Sequence, residues 1–404
     1  MVENVKGILK RACELWGGDP GAFTLFYAPG RVNLLGEHID YNGGTVLPFA
    51  ISQRIWLMIR PNHTGTHRFI SFNEPTLGEI DAGKELSPAG QLWFNYPLGV
   101  IHEFTKTGFT GKSFDFVFAG NIPVGSGLSS SAAIEMVTAV ALNHEYQAGM
   151  EIKELVLLAQ RAENSFIGMN CGIMDMYAIG MGRKGQVVAI DTTTNNHEWV
   201  PLGFTGYTFI VTDTRKPRKL AESAYNDRRN ACGEVLSLLR KKHSIENLCE
   251  ITPEEWSEWK KVILDPVLVK RAEHVIMEQH RVLRGMEMLR NGDALSFGQL
   301  MNESHRSLRD DYEVSCRELD ILAETAWQTE GVAGSRMTGA GFGGCTITMV
   351  KKGFEQHFID KAGKIYRSQI GHEPAFYWVY PSPGAGMAGK IPGDGNLEKL
   401  MENE

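Results

Sequence analysis

The sequence has no paired cysteines. Its six cysteines (Cys13, Cys171, Cys232, Cys249, Cys316 and Cys345) are scattered over 404 residues without a C-x-x-C pair, which excludes a zinc ribbon or a small disulfide framework. They read as reduced, mostly buried thiols. No run of about 18 apolar residues is present to span a membrane. The segment Met1 to Gly17 mixes charges into an amphipathic pattern where a secretory signal would carry an apolar stretch, so a cytoplasmic protein with no membrane partner is expected. Positive charge is not in excess. The 41 Lys and Arg against 48 Asp and Glu leave a net −7, the wrong sign for a protein whose partner is a nucleic acid. Repeats, low-complexity tracts and long linkers are also lacking. Among twelve histidines the nearest approach to a metal-ligand pair is His63 with His67. That segment has no Glu and carries Gly65, so it reads as a solvated loop.

What is present is an ordinary globular composition, 43% hydrophobic and 22% charged, and at about 150 residues per domain the chain is long enough for two domains. A helix is predicted up to Trp16, closed by the Gly-Gly-Asp-Pro-Gly breaker at 17–21. A strand follows over Phe23 to Tyr27, then a turn at Pro29-Gly30, an apolar segment over Arg31 to Leu35, and a turn at Asn42-Gly43 leading into Thr45 to Ile51. Phe114, Phe116 and Phe118 alternate with period two, the pattern of a half-buried strand. Helices are expected at Ala132 to Tyr146 and from Glu151 to Phe166, strands at Gln186 to Ile190 and Tyr207 to Thr212, and helices over Ala221 to Gln328. The end returns to strands at Thr346 to Val350 and Phe376 to Tyr380 around one helix. Strands and helices interspersed in both halves predict two α/β or α+β domains, 1–195 and 196–404.

The stretch Gly120 to Ala133 (GNIPVGSGLSSSAA) lies between a predicted strand and a predicted helix. Glycines let backbone approach an anion, serines add donors, and the helix N-terminus supplies free N–H groups, which is phosphate-cradle chemistry. A serine-rich helix cap without a ligand is the alternative. It is not a Walker A loop, because no Lys-Ser or Lys-Thr pair follows the glycines. Gly384 to Lys390 has Walker spacing, but Ile391 stands in the Ser/Thr position and Pro381, Pro383 and Pro392 oppose the strand and helix context. Gly339 to Gly344 matches G-x-G-x-x-G ahead of a strand-like segment, where a dinucleotide site needs a helix. It reads as a loop packed on a ligand or another loop, or as a tight turn.

Arg31, Glu37, His38 and Asp40 crowd ten residues between apolar neighbours, which suits a polyhydroxyl ligand or a solvated hairpin rim. In the helix ending at Phe166, the apolar stripe through Ile152, Leu155, Val156 and Ala159 passes through Glu163. A carboxylate on an inside face is either a Mg²⁺ ligand or half of a salt bridge. Asp175, in Asn170-Cys-Gly-Ile-Met-Asp175, is a candidate base or a helix cap. The group Arg215, Lys216, Arg218, Lys219, Arg228 and Arg229 is interleaved with acids and reads as a solvated face.

Taken together, Gly30 to Tyr41 (GRVNLLGEHIDY), Gly120 to Ala133 and Gly339 to Gly344 after Arg336-Met-Thr resemble the signature motifs of the galactokinase branch of the GHMP small-molecule kinases. The resemblance implies a two-lobed GHMP kinase fold, an N-terminal mixed-sheet domain and a C-terminal α+β domain with the active site between them. It implies ATP phosphates on Gly125, Ser126, Gly127, Leu128, Ser129, Ser130 and Ser131, and Mg²⁺ on Ser131 and Glu163. Asp175 would be the catalytic base and Arg31 would stabilise the transferring phosphoryl group. Glu37, His38, Ile39 and Asp40, joined by Tyr225, would contact the sugar, with Trp93 and Tyr96 near the adenine. Where the family usually has Gln after Asp175, this chain has Met176. The implied activity is ATP-dependent phosphorylation of the anomeric hydroxyl of α-D-galactose to galactose 1-phosphate, the entry to galactose metabolism; the sequence does not fix the oligomeric state, for which a monomer is favoured. A kinase for N-acetylgalactosamine is the same-class alternative. A catalytically silent sugar sensor is the different-class one, against which the intact Ser129 to Ala133 run and Asp175 argue.

Overall fold

The computed structural model describes residues 1–123, 125–216 and 221–402. Helix α1 (Val2–Trp16) forms because Val5, Ile8, Leu9 and Ala12 repeat at helical spacing and bury one face. The chain continues through β1 (Thr24–Asn33), β2 (Thr45–Val46), β3 (Pro48–Pro61), β4 (Thr66–Ser71), β5 (Gly78–Asp81), α2 (Asn95–Lys106) and β6 (Phe114–Gly120). Then come α3 (Ser130–Tyr146), α4 (Ile152–Arg161), a π-helical turn (Ala162–Ile167), α5 (Met174–Met181), β7 (Gln186–Asp191), β8 (Asn196–Pro201) and β9 (Tyr207–Asp213). A helical stretch follows: α6 (Ala221–Leu239), α7 (Pro253–Trp259), α8 (Pro266–Asn291), α9 (Ala294–Asp310) and α10 (Arg317–Trp327). The remainder is β10 (Val332–Thr338), β11 (Cys345–Lys351), α11 (Glu355–Ile370), β12 (Ala375–Val379), β13 (Gly386–Lys390) and α12 (Glu398–Glu402).

Three sheets result, with strand orders β13-β1-β3-β6-β4-β5, β10-β11-β9-β12 and β2-β7-β8. The first has two covered faces. Leu25, Tyr27, Trp56, Met58, Val117 and Ala119 pack on α1, while Phe26, Ala28, Leu57, Phe116 and Phe118 face the main core. The strand expected to be half-buried is therefore buried throughout. Even Asp115 is inside, where Arg60, Arg68 and Asn62 bond its two oxygens. The main core runs on into the second half of the chain, with Phe49 packed edge-on against Phe209 at 5.8 Å.

Several expectations need correction. Pro29-Gly30 is no turn: β1 runs straight through it, with a register shift against β3 between Pro29 and Arg31. His67 is not in a loop but on β4, 3% exposed and stacked on Phe114, and burial pushes its imidazole down to about 4. Gly384 to Lys390 does contain a strand, β13, placed at a sheet edge where flanking prolines are tolerated. That strand also crosses the boundary at 195, because it pairs with β1; β8 crosses it too, pairing back to β7. Long-range pairing of this kind leaves no local trace in composition. Among the described residues no helix is long and apolar enough to cross a membrane.

Candidate active site

The register shift in β1 delivers Arg31 to the glycine- and serine-rich loop ahead of α3. Gly30 must be glycine there, since a Cβ would lie 2.6 Å from the Leu128 carbonyl, and the Arg31 N–H donates to that same carbonyl at 3.2 Å. In the loop, Gly125, Gly127 and Ser129 have φ of 74°, 80° and 63°. Left-handed residues alternating with ordinary ones turn successive N–H groups to one side, the geometry of an anion nest. Helix α3 begins at the next residue, Ser130, and adds its unbonded N–H groups and the positive end of its dipole.

Two of the motifs, through Arg31 and Ser129, converge on Asp175 in the first turn of α5. Arg31 grips it with Nε on Oδ1 and Nη2 on Oδ2, both at 2.7 Å, while Nη1 donates to the Gly127 carbonyl at 2.7 Å. Ser129 Oγ donates to Oδ2 at 2.5 Å. The Arg31 side chain is 6% exposed and that of Asp175 29%, so the carboxylate keeps an open side while the guanidinium is covered. Met176 points into the core with no exposure; the polar surroundings of Asp175 come from Arg31 and Ser129 instead.

Asp40 lies against the loop that leads into α5. A Cβ on Gly172 would collide with its carboxylate, so only glycine admits the approach. Burial, with Asp175 and Glu37 adding like charge, pushes the Asp40 carboxyl up to about 7. The Tyr225 ring stands 5.5 Å from that of His38 and 5.3 Å from that of Tyr41, and burial followed by the Asp40 charge raises its phenol well above the usual range.

Three residues expected to touch sugar have partners within the protein. Ile39 is fully buried in the core, and its carbonyl accepts from the N–H groups of Asn42 and Gly44 to close the turn. His38 is bonded at both nitrogens. The Ala340 carbonyl, 3.1 Å from Nε2, can only accept, so Nε2 carries the proton and Nδ1 accepts from the Tyr41 hydroxyl at 2.8 Å. Burial, then the neighbouring His274, pushes His38 down to about 3 and keeps it neutral. Glu37 is 1% exposed; one oxygen accepts from Asn33 Nδ2, the other from Thr338 Oγ1 and the Gly339 N–H. The C-terminal glycine loop thus packs on the loop that carries Glu37 and His38, and a Cβ on Gly339 would stand 3.2 Å from the Gly127 carbonyl. Nothing local in the sequence announces these bonds, which join residues about 300 apart.

Glu163 sits in the π-helical turn, where a regular helix through Phe166 was expected; such turns recur at functional sites. It is 4% exposed, and its hydrogen-bond partners are a hydroxyl and a thiol: Ser131 Oγ at 3.4 Å and Cys171 Sγ at 2.9 Å. Burial pushes its carboxyl up to about 7. Among the described residues no group of three or more His, Cys, Asp or Glu could hold a metal ion. Trp93 packs edge-on against Phe118 of β6 at 5.5 Å and bonds the Thr76 carbonyl. The basic group is not a free face: Arg228 bonds the Tyr312 carbonyl, Arg229 that of Asn170, and Lys216 pairs with Glu318. Arg218 and Lys219 lie outside the described residues.

Two family models define the class. "GHMP kinases N terminal domain" matches residues 95–183 and "GHMP kinases C terminal" matches 286–365, and the chain has the GHMP kinase fold. A third, "Galactokinase galactose-binding signature", matches residues 14–61. The galactokinase of Clostridium beijerinckii is 42% identical, covering 96% of this chain and 100% of that protein. That of Bacillus subtilis is 43% identical over 95% of this chain and 98% of its own. The structure of Lactococcus lactis galactokinase complexed with galactose superposes with a TM-score of 0.91 at 37% identity, covering 94% of this chain and 98% of that one. A mevalonate kinase with a TM-score of 0.66 and 19% identity, covering 88% of this chain and 98% of its own, shares the fold alone. The chain belongs to the galactokinase family.

Proposed function

We propose that this enzyme, which phosphorylates galactose with ATP, carries out the transfer at the Arg31–Asp175 pair, onto the anomeric hydroxyl of α-D-galactose. One observation carries the assignment: a single carboxylate is bonded both by the arginine of the sugar-signature strand and by Ser129 of the phosphate loop. In-line phosphoryl transfer demands positioning and charge neutralisation more than covalent help. Asp175 orients the attacking hydroxyl and takes its proton through its exposed side. Arg31, fixed by three hydrogen bonds, offsets charge on the transferring group. The left-handed loop from Gly125 to Ser131 and the start of α3 cradle the ATP phosphates, and Trp93 and Tyr96 border the base.

Asp40 and Tyr225 face the sugar, while His38, Glu37 and Ile39 hold the loop that presents Asp40. Ser131 and Glu163 fit a divalent cation. Two adjacent protein oxygens suit Mg²⁺, which keeps most of its waters and shares substrate phosphates, and the upward shift of the buried Glu163 carboxyl is the cost such a cation reverses. When bound, Mg²⁺ neutralises phosphate oxygens. A turnover assay with ATP and galactose, N-acetylgalactosamine or glucose tests the assignment: galactose should be strongly preferred. Preference for N-acetylgalactosamine would redirect the reading to that sugar, and turnover of none would leave a sensor.

A further inference from the structure

The loop from Leu35 to Thr45 is held from outside by one helix of the other half of the chain. Along α8, His274 Nε2 donates to the Glu37 carbonyl at 3.1 Å, Glu278 Oε1 accepts from the Gly36 N–H at 2.8 Å, and Gln279 Oε1 accepts from the Thr45 N–H at 2.8 Å. His274 and Glu278, four apart, form a row along one face of the helix, and Gln279 stands beside it, the next residue after Glu278. The row ends at Gly285, which lets α8 come so close that a Cβ there would stand 2.7 Å from the Leu35 side chain.

Glu278 is the centre of this grip. It is fully buried, accepts a second bond on Oε1 from Ser304 Oγ at 2.8 Å, and pairs through Oε2 with Arg281 Nε at 2.7 Å. Burial alone would raise its carboxyl, but Arg281 and His274 hold it down at about 2, so the acceptor stays charged. All three partners in the loop are main-chain groups, on both sides of His38 and Asp40. A backbone fixed at Gly36, Glu37 and Thr45 has little freedom to change where it presents the side chains between them.

We propose that His274, Glu278 and Gln279 are positioning residues for the sugar: α8 sets the backbone of the sugar loop and thereby the affinity for galactose, with no part in ATP binding. The inference rests on the proposed assignment of that loop to the sugar. Its test uses galactose and ATP dissociation constants, measured separately by calorimetry on the full chain, with KM for each substrate and kcat alongside. Glu278→Ala should weaken galactose binding about tenfold or more, the worth of a lost charge-assisted hydrogen bond. Glu278→Gln, which keeps an oxygen for the Gly36 N–H, should recover part of that. Gln279→Ala, at a half-buried position that tolerates truncation, should weaken it about threefold. ATP affinity should stay at the parent value in all three.

Asp40→Ala serves as the control for the loop itself. If it abolishes galactose binding while the α8 variants bind galactose like the parent, the inference is overturned and the sugar assignment stands. If it leaves galactose affinity untouched, the assignment fails and the inference with it. Equal losses for galactose and ATP in the α8 variants would reduce α8 to general scaffolding and also overturn the proposal. Should Glu278→Ala fail to fold, Gln279→Ala alone decides the outcome.

Discussion

In the loop proposed to meet the sugar, Glu37 and His38 spend their polar atoms on Asn33, Thr338, Gly339, Ala340 and Tyr41. In the loop proposed to cradle phosphate, Gly125 is exposed with nothing near its Cα hydrogens, and Ser130 and Ser131 are only half-buried. The first region is closed by bonds to distant parts of the chain; the second is more open, with its Ser126, Ser129 and Ser131 hydroxyls bonded to Pro123, Asp175 and Glu163. The difference follows from what each must do. A site that tells an axial from an equatorial hydroxyl needs groups fixed in advance, because a misplaced hydroxyl must leave a buried partner unpaired. A triphosphate arrives with enough charge to organise its own cradle.

The comparison can be broken most sharply where the two regions meet. Asp175→Asn should lower kcat by two or more powers of ten with ATP binding near normal; a folded variant that turns over at the parent rate would remove Asp175 from the chemistry. Next, Asp40→Ala should cut kcat/KM for galactose by about a hundredfold and narrow a gap to glucose of about 10⁴, since the penalty for a misdirected hydroxyl goes with the acceptor. Side-by-side kcat/KM values for both sugars decide it, and an unchanged ratio rejects the fixed-site account. On the phosphate side, Glu163→Gln should raise the Mg²⁺ concentration for half-maximal rate about tenfold. A change in melting temperature with no change in Mg²⁺ dependence would make Glu163 structural.

The smallest effect is one of pH. The Asp40 carboxyl, pushed up to about 7 by burial and its acidic neighbours, holds a proton in the folded state that the unfolded chain releases near pH 4. Stability of the ligand-free protein from this group is therefore full at low pH and falls as pH rises through 7. Asp40→Asn should flatten that decline, shrinking the melting-temperature difference between pH 5.5 and 8 by about 1–2 °C. Identical pH profiles for parent and variant would show that ionising Asp40 costs nothing.

Local chemistry made much of this legible in advance. Glycines and serines between strand and helix do form a left-handed turn, and Glu163, which interrupts an apolar stripe, is buried. What stayed hidden depends on distance along the chain. The bonds that occupy His38 and Glu37 come from Ala340 and Thr338, and the grip of α8 reaches back more than two hundred residues. No periodicity encodes such a pairing. The π-helical turn at Ala162 to Ile167 escaped for another reason: its residues have ordinary helix patterning, and only the extra residue per turn distinguishes it.

Strand β13 has a consequence for synthesis. Its place at the edge of the first sheet is reinforced by Lys390, which donates to the Ala22 carbonyl 368 residues away. As the chain leaves the ribosome, β1 can acquire β3 on one side almost at once, yet its other edge stays open until residues 386–390 emerge. An open strand edge is a template for another chain, and folding intermediates that carry one are prone to aggregate. The strand that starts the first sheet thus keeps one edge unpaired until nearly the whole chain has been translated.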